Sequence, residues 1–224
     1  MTIRYLLIDS RKIPVTMGMS HRENDVHGRP LEIIQMNIFY QCFEDKIAIK
    51  VINPRVLLPS FRSFAKEKGS CITLAESIFT DMKQFLINYY KYKGLNHLSK
   101  LKQETNFNKI DFMTARNILS EAILQKDDDV KGCSTFSSKT KIKAFTKLSH
   151  EFISRRNILT HGKIYYYPET EKFIIEHIDN ETSIQKYCYL DNEFLIEFKN
   201  AFEIIASGMR ELNKFLNDLK KNKP

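Results

Sequence analysis

Residues 152–167 read FISRRNILTHGKIYYY, and the period of the apolar residues changes inside that stretch. Before Gly162 the spacing is helical. With Arg156 at zero on a wheel of about 100° per residue, Phe145, Leu148, Phe152 and Leu159 share an arc of roughly 280–340°. After Gly162 the spacing is that of strands: KIYYY, then KFIIEHI, then QKYCYL. The spacing predicts a helix from about Lys139 to His161, ended by Gly162. Up to three short strands follow, broken at Pro168-Glu169-Thr170 and at Asp179-Asn180-Glu181.

Helical spacing recurs on both sides of this stretch. Downstream, an apolar stripe from Phe194 through Phe198, Ile205 and Leu212 to Leu216 predicts a long final helix from Asp191 to about Leu219. Upstream, Leu74, Ile78, Met82, Phe85 and Tyr89 predict a helix from about Thr73 that Gly94 ends. Another spans residues 110–125, capped by Asn108 or Asp111. The N-terminal part reads differently. Residues 3–8 form a strand-like run, and residues 9–30 read as a loop rich in turn formers. KIAIKVI, residues 46–52, alternates as a strand; residues 33–43 are its hairpin partner through Glu44-Asp45, or else a helix. Pro54 and Pro59 then bracket a loop. The expected fold is mainly α. It is a helical bundle of about four main helices, with a β-hairpin insertion before the last helix and a small N-terminal β element. Residues 1–60 form that element, of unknown role, and residues 61–224 the bundle, the two packed as one unit.

Composition narrows the function classes. Only 7 Gly and 6 Pro in 224 residues leave room for long helices. A formal charge of +8 favours an anionic partner: nucleic acid, a membrane surface or an acidic protein. The longest uncharged apolar stretch, residues 33–43, is far below the roughly 18 residues that span a bilayer, so no membrane partner is expected. The opening MTIRYLLIDSRK has no cleavable-leader pattern. Cys42, Cys71, Cys133 and Cys188 form no CxxC and fit reduced thiols of the cytoplasm. There is no Walker A loop, GxGxxG, HExxH or GxSxG. Asp127-Asp128-Asp129 has no second carboxylate cluster to support a metal.

The helix before Gly162 carries the chemistry. Opposite its apolar arc lie His150, Asn157, His161 and Ser154, at roughly 100–160°, with Arg156 and Thr160 beside them at about 0° and 40°. Solvent faces of helices usually carry Lys and Glu; a face of His, Ser and Asn suits hydrogen bonding to a substrate or a twin helix. A histidine in the last turn feels the negative end of the helix dipole. An arginine beside it can bind phosphate oxygens in pairs. RNA carries its own nucleophile in the 2′-hydroxyl, so such a site needs no metal or cofactor.

Arg156-Asn157-Ile158-Leu159-Thr160-His161 resembles the R-x4-H motif of HEPN-domain ribonucleases, including the polar residue after the arginine. The order of elements is similar too: a long helix ending in RNxxxHG, a short excursion, and a long amphipathic helix. The resemblance implies a helical bundle that forms a homodimer, with two motifs facing each other in one composite, metal-independent RNase site. It implies catalytic roles for Arg156 and His161, with Asn157 positioning them. It also implies a toxin or anti-phage defence effector, whose natural second partner is an acidic antitoxin. The motif occurs again at Arg22-Glu-Asn-Asp-Val-His27, in a stretch without apolar period, and nearly again at Arg116-Asn-Ile-Leu-Ser-Glu121, where Glu replaces His.

Around the motif, His150, Ser154, Thr160, Arg155 and Lys163 are candidate substrate-binding residues. Arg155, near 260° at the border of the apolar face, flanks the bundle or touches RNA backbone. Lys139, Lys141, Lys143 and Lys147 form either a phosphate-contacting flank or a solvated face. Tyr165 and Tyr167 point opposite to Tyr166, so the trio reads as hairpin packing more than base stacking. Two other readings stay open. One is a helix end whose arginine sits in an ion pair; the other is a non-catalytic RNA-binding or regulatory subunit.

Overall fold

The computed structural model describes residues 6, 12–24, 26–28, 30–43, 46–47, 52–93, 109–124, 132–179 and 183–221. The chain is mainly α, as its apolar spacing predicts; among the described residues there are four α-helices and also a six-stranded sheet. Contacts group residues 1–70 with 157–196, and residues 71–156 with 197–224.

The first group is built on strand β2 (Pro30–Phe43). It pairs antiparallel with β1 (Lys12–Asn24) along its whole length and with β3 (Lys46–Ile47) at its end. On its other edge it runs parallel to β4 (Lys163–Tyr167), with Asn37 opposite Tyr165. β5 (Lys172–Ile178) and β6 (Gln185–Leu190) extend the sheet as antiparallel neighbours. Met36, Ile38, Phe39 and Tyr40 are all buried, so β2 is covered on both faces at its middle. One face gathers Phe39, Tyr165, Tyr167, Ile174 and Tyr187. On the other, Phe61 and Phe64 meet Phe173, which also meets the edge of Tyr166.

Three expectations are corrected here. Residues 12–24 form a strand, not a loop. Pro14 and Gly18 are tolerated because β1 lies at the edge of the sheet, where a missing N–H need not break a ladder. The N-terminal β element is not small, and it shares one sheet with the hairpin that precedes the last helix. Finally, Pro54 and Pro59 do not bracket a loop: helix α1 (Pro54–Lys93) contains both. Pro54 occupies the first helical position, where no N–H is missed, and Asn53 Oδ1 accepts the Arg55 N–H at 3.0 Å as cap. The expected hairpin of residues 33–43 with 46–52 is found in its first two pairs. Ile52 lies outside any strand; residues 48–51, the run at 3–8 apart from Leu6, Gly94, residues 127–129, residues 180–182 and the tail after Lys221 lie outside the described residues.

The second group packs helices by their predicted stripes. α1 buries Cys71, Ala75, Ile78, Met82, Phe85 and Tyr89, at spacings of three and four. α2 (Phe112–Leu124) is capped by Asp111, which accepts the Thr114 N–H at 2.7 Å. α3 (Lys139–His161) and α4 (Asn192–Lys221) keep the bounds their patterns predict to within about two residues. Phe152 of α3 meets Phe112 of α2 and Phe198 of α4, with ring centroids 6.5 and 4.4 Å apart. Phe79 of α1 stacks on Phe112 at 4.9 Å. Gly208 lets α4 approach closely: a Cβ there would lie 2.6 Å from the Phe145 ring.

Candidate functional site

One uninterrupted helix, α3, carries the whole Arg156-to-His161 stretch. Its hydrogen-bonded end is fixed by Gly162, whose N–H donates to the Ile158 carbonyl at 2.9 Å. The glycine is required there by closeness, not by a left-handed φ. A Cβ at Gly162 would lie 2.6 Å from the Ile158 oxygen and closer still to the Ile175 side chain. So the last helical turn, which bears Thr160 and His161, is set directly against β5.

Arg156 is half-buried, and its partner comes from α1. Its Nε donates to Glu76 Oε1 at 3.2 Å, and Nη2 donates to the same oxygen. The side chains are 21% and 44% exposed, so solvent screens the pair, and its worth is on the order of 1 kcal/mol. What it supplies is orientation: two N–H groups on one oxygen fix the plane of the guanidinium. Sequence reasoning missed Glu76. Its only mark was a polar position on the predicted helix beginning near Thr73, and nothing in one dimension ties it to Arg156.

The other predicted residues separate into three kinds of place. Asn157, Thr160 and Ser154 are half-buried on α3, and His161 is exposed at its last position. His150 is exposed two turns upstream. Lys163 is exposed on β4, with Nζ 5.2 Å from the Tyr165 ring centroid. Arg155 is the exception. It is 1% exposed, and its Nη2 donates to Glu197 of α4 at 2.6 Å. From its position at the border of the apolar face, the Arg155 guanidinium turns into the bundle. Removing Glu197 would leave a buried cation without its carboxylate, which typically costs about 3 kcal/mol.

The tyrosine trio behaves as strand packing. Tyr165 and Tyr167 are buried, and each hydroxyl donates to a carboxylate, Glu176 at 2.8 Å and Glu169 at 2.5 Å. Burial first, and then those carboxylates, raise both phenol pKa values well above the usual range. The other two copies of the motif do not end a helix. Arg22 lies in β1 and His27 in the turn after it, and Arg116 lies inside α2. Among the described residues no group of three or more His, Cys, Asp or Glu side chains is gathered in one place.

The arrangement on α3 can do two things chemically. A half-buried guanidinium held in one plane can bind a phosphodiester oxygen if the phosphate competes with Glu76. An exposed imidazole at a helix end can exchange protons with solvent or substrate. Compared with protein-family models, with curated proteins and with solved structures, the chain matches none.

Proposed function

We propose that this chain is a metal-independent endoribonuclease of HEPN type, working as a toxin or anti-phage defence effector in the cytoplasm. In this reading the RNA 2′-hydroxyl attacks the adjacent phosphorus and the 5′-oxygen of the next nucleotide leaves. His161 moves the proton as general base or acid. Arg156 stabilises the charge that builds on the phosphorane oxygens, and Asn157 orients the pair. His150, Ser154, Thr160 and Lys163 would contact substrate. One chain supplies one Arg and one His, so a homodimer would complete the site, and an acidic antitoxin would be the protein that silences it.

The observation that carries the reading is the pairing of roles at the end of α3. Arg156 is half-buried and oriented by Glu76, while His161 stands exposed in the last turn. The non-catalytic alternative is favoured by the same ion pair, because an arginine satisfied by a carboxylate on α1 also describes a bundle contact.

One assay separates them. Purified chain should cut RNA in EDTA and leave 2′,3′-cyclic phosphate ends. Arg156→Ala and His161→Ala should each lower cleavage by at least about a hundredfold, with unchanged circular dichroism. Salt-sensitive binding without turnover supports the regulatory subunit instead. Wild-type cleavage by both variants removes α3 as the site. A strict monomer by light scattering at working concentration counts against the composite site.

A further inference from the structure

Away from the motif, one groove of the helical group gathers positive charge. Arg116 and Leu124 of α2 face Lys143, Thr146, Lys147 and His150 of α3 across an open pocket of about 300 Å³. Among the described residues that line it there is no carboxylate. Lys147 also lies 4.0 Å from Glu151, one turn along α3. Arg116 is fixed in the groove: Nη2 and Nε donate to the Thr146 carbonyl at 2.9 and 3.3 Å, and Nη1 donates to Asn117 Oδ1 at 2.7 Å. Burial lowers its pKa from the ordinary arginine value. Thr146 Oγ1 is buried with no hydrogen-bond partner.

These features fit one ligand chemistry. The lysines are long and exposed at the rim, where they can follow a phosphate. Leu124, 40% exposed, and the aliphatic stems of the lysines give an apolar surface for a ribose or base. Lys143, Lys147, His150 and Ser154 repeat at spacings of four and three, so they share one side of α3. That side leads toward the motif: His150 lies about 9 Å along the helix axis from Arg156.

We propose that the α2–α3 groove is a nucleotide subsite that holds a phosphate, with its ribose and base, of single-stranded RNA at a distance from the cleaved bond. The identity of the polymer rests on the endoribonuclease reading. The groove explains why Arg116-Asn117, in the near copy of the motif, keeps an arginine and an asparagine without the histidine: there they organise a cationic wall, with no proton to move.

The test uses the full chain. In a His161→Ala background, a fluorescent single-stranded oligoribonucleotide is titrated by anisotropy over a salt series. Adding Lys143→Ala with Lys147→Ala should weaken binding about tenfold and flatten the logarithmic salt slope by about 1.4, two released phosphate contacts at roughly 0.7 each. Lys143→Arg with Lys147→Arg should restore binding. In the otherwise wild-type chain the alanine pair should raise KM for RNA and leave kcat unchanged. Unchanged affinity and salt slope overturn the subsite. So does polyglutamate displacing the RNA at equal charge concentration, which assigns the groove to an acidic protein. The two proposals fail separately. Cleavage with an unmoved KM removes the groove and leaves the nuclease. Lysine-dependent RNA binding in a chain that cuts nothing removes the nuclease and leaves the groove.

Discussion

Glu211 shows how a single carboxylate can order a loop. It accepts the backbone N–H groups of Ser134 and Thr135, the latter at 3.1 Å, at the start of a short 3-10 turn. Burial alone would raise its pKa, but the hydrogen bonds from Thr135 and Ser134 together outweigh it, and the carboxyl is held below its ordinary value of 4.5. The folded state therefore favours the charged form. The stability this confers is present above the unfolded pKa and is lost as pH falls through the lower, folded value. Glu211→Gln should cost about 1 kcal/mol at pH 7 and nothing in strong acid, read as the difference in urea midpoint between the two conditions. Equal losses at both pH values would contradict the charged-acceptor account. The neighbouring thiol follows the same logic in reverse. Burial, reinforced by Glu211, pushes Cys133 up to about 11, so it should resist iodoacetamide at neutral pH until the protein unfolds.

At the scale of elements, Gly162 decides how a helix meets a sheet. Its lack of a side chain lets the end of α3 lie against Ile175. Gly162→Ala should destabilise the chain by about 1–3 kcal/mol through overpacking. It should also displace the last turn, so RNA cleavage should fall together with the melting temperature. An alanine variant with unchanged melting and activity would show that the contact relaxes freely. Ile175→Ala with Gly162→Ala should recover part of the loss. The helix end at Gly162 was legible in the sequence, although for a different reason: glycine after a helix suggests a left-handed residue, whereas here it makes room. The stripes of α2, α3 and α4 were legible because an amphipathic period survives in one dimension. The first 19 residues of α1 were not, because two prolines read as loop when one of them is a helix start. Nor was β1, because an edge strand accepts the proline and small residues that a central strand refuses. The Arg156–Glu76 pair has no local signature, since the partners sit on helices distant in the chain.

For the molecule as a whole, the sheet ties the N-terminal strands to residues 163–190. β2 presents its outer edge to β1 and its inner edge to β4, so deleting residues 1–52 would strip β4 of its parallel neighbour and uncover Tyr165 and Tyr167, which contact Phe39. A chain starting at residue 53 should aggregate or elute in the void volume on size exclusion. A monodisperse, cooperatively melting product would show that residues 53–224 fold without the hairpin.

That parallel pairing also has a consequence during synthesis. β1 and β2 leave the ribosome well before β4, and a lone hairpin is marginal in water. Their permanent neighbour, β4, emerges only after most of the helices, on the order of 10 s later at ordinary elongation rates. Through that interval the inner edge of β2 stays open, with Met36, Ile38, Phe39 and Tyr40 uncovered. Until KIYYY arrives, that edge is a strand edge open to pairing with other chains.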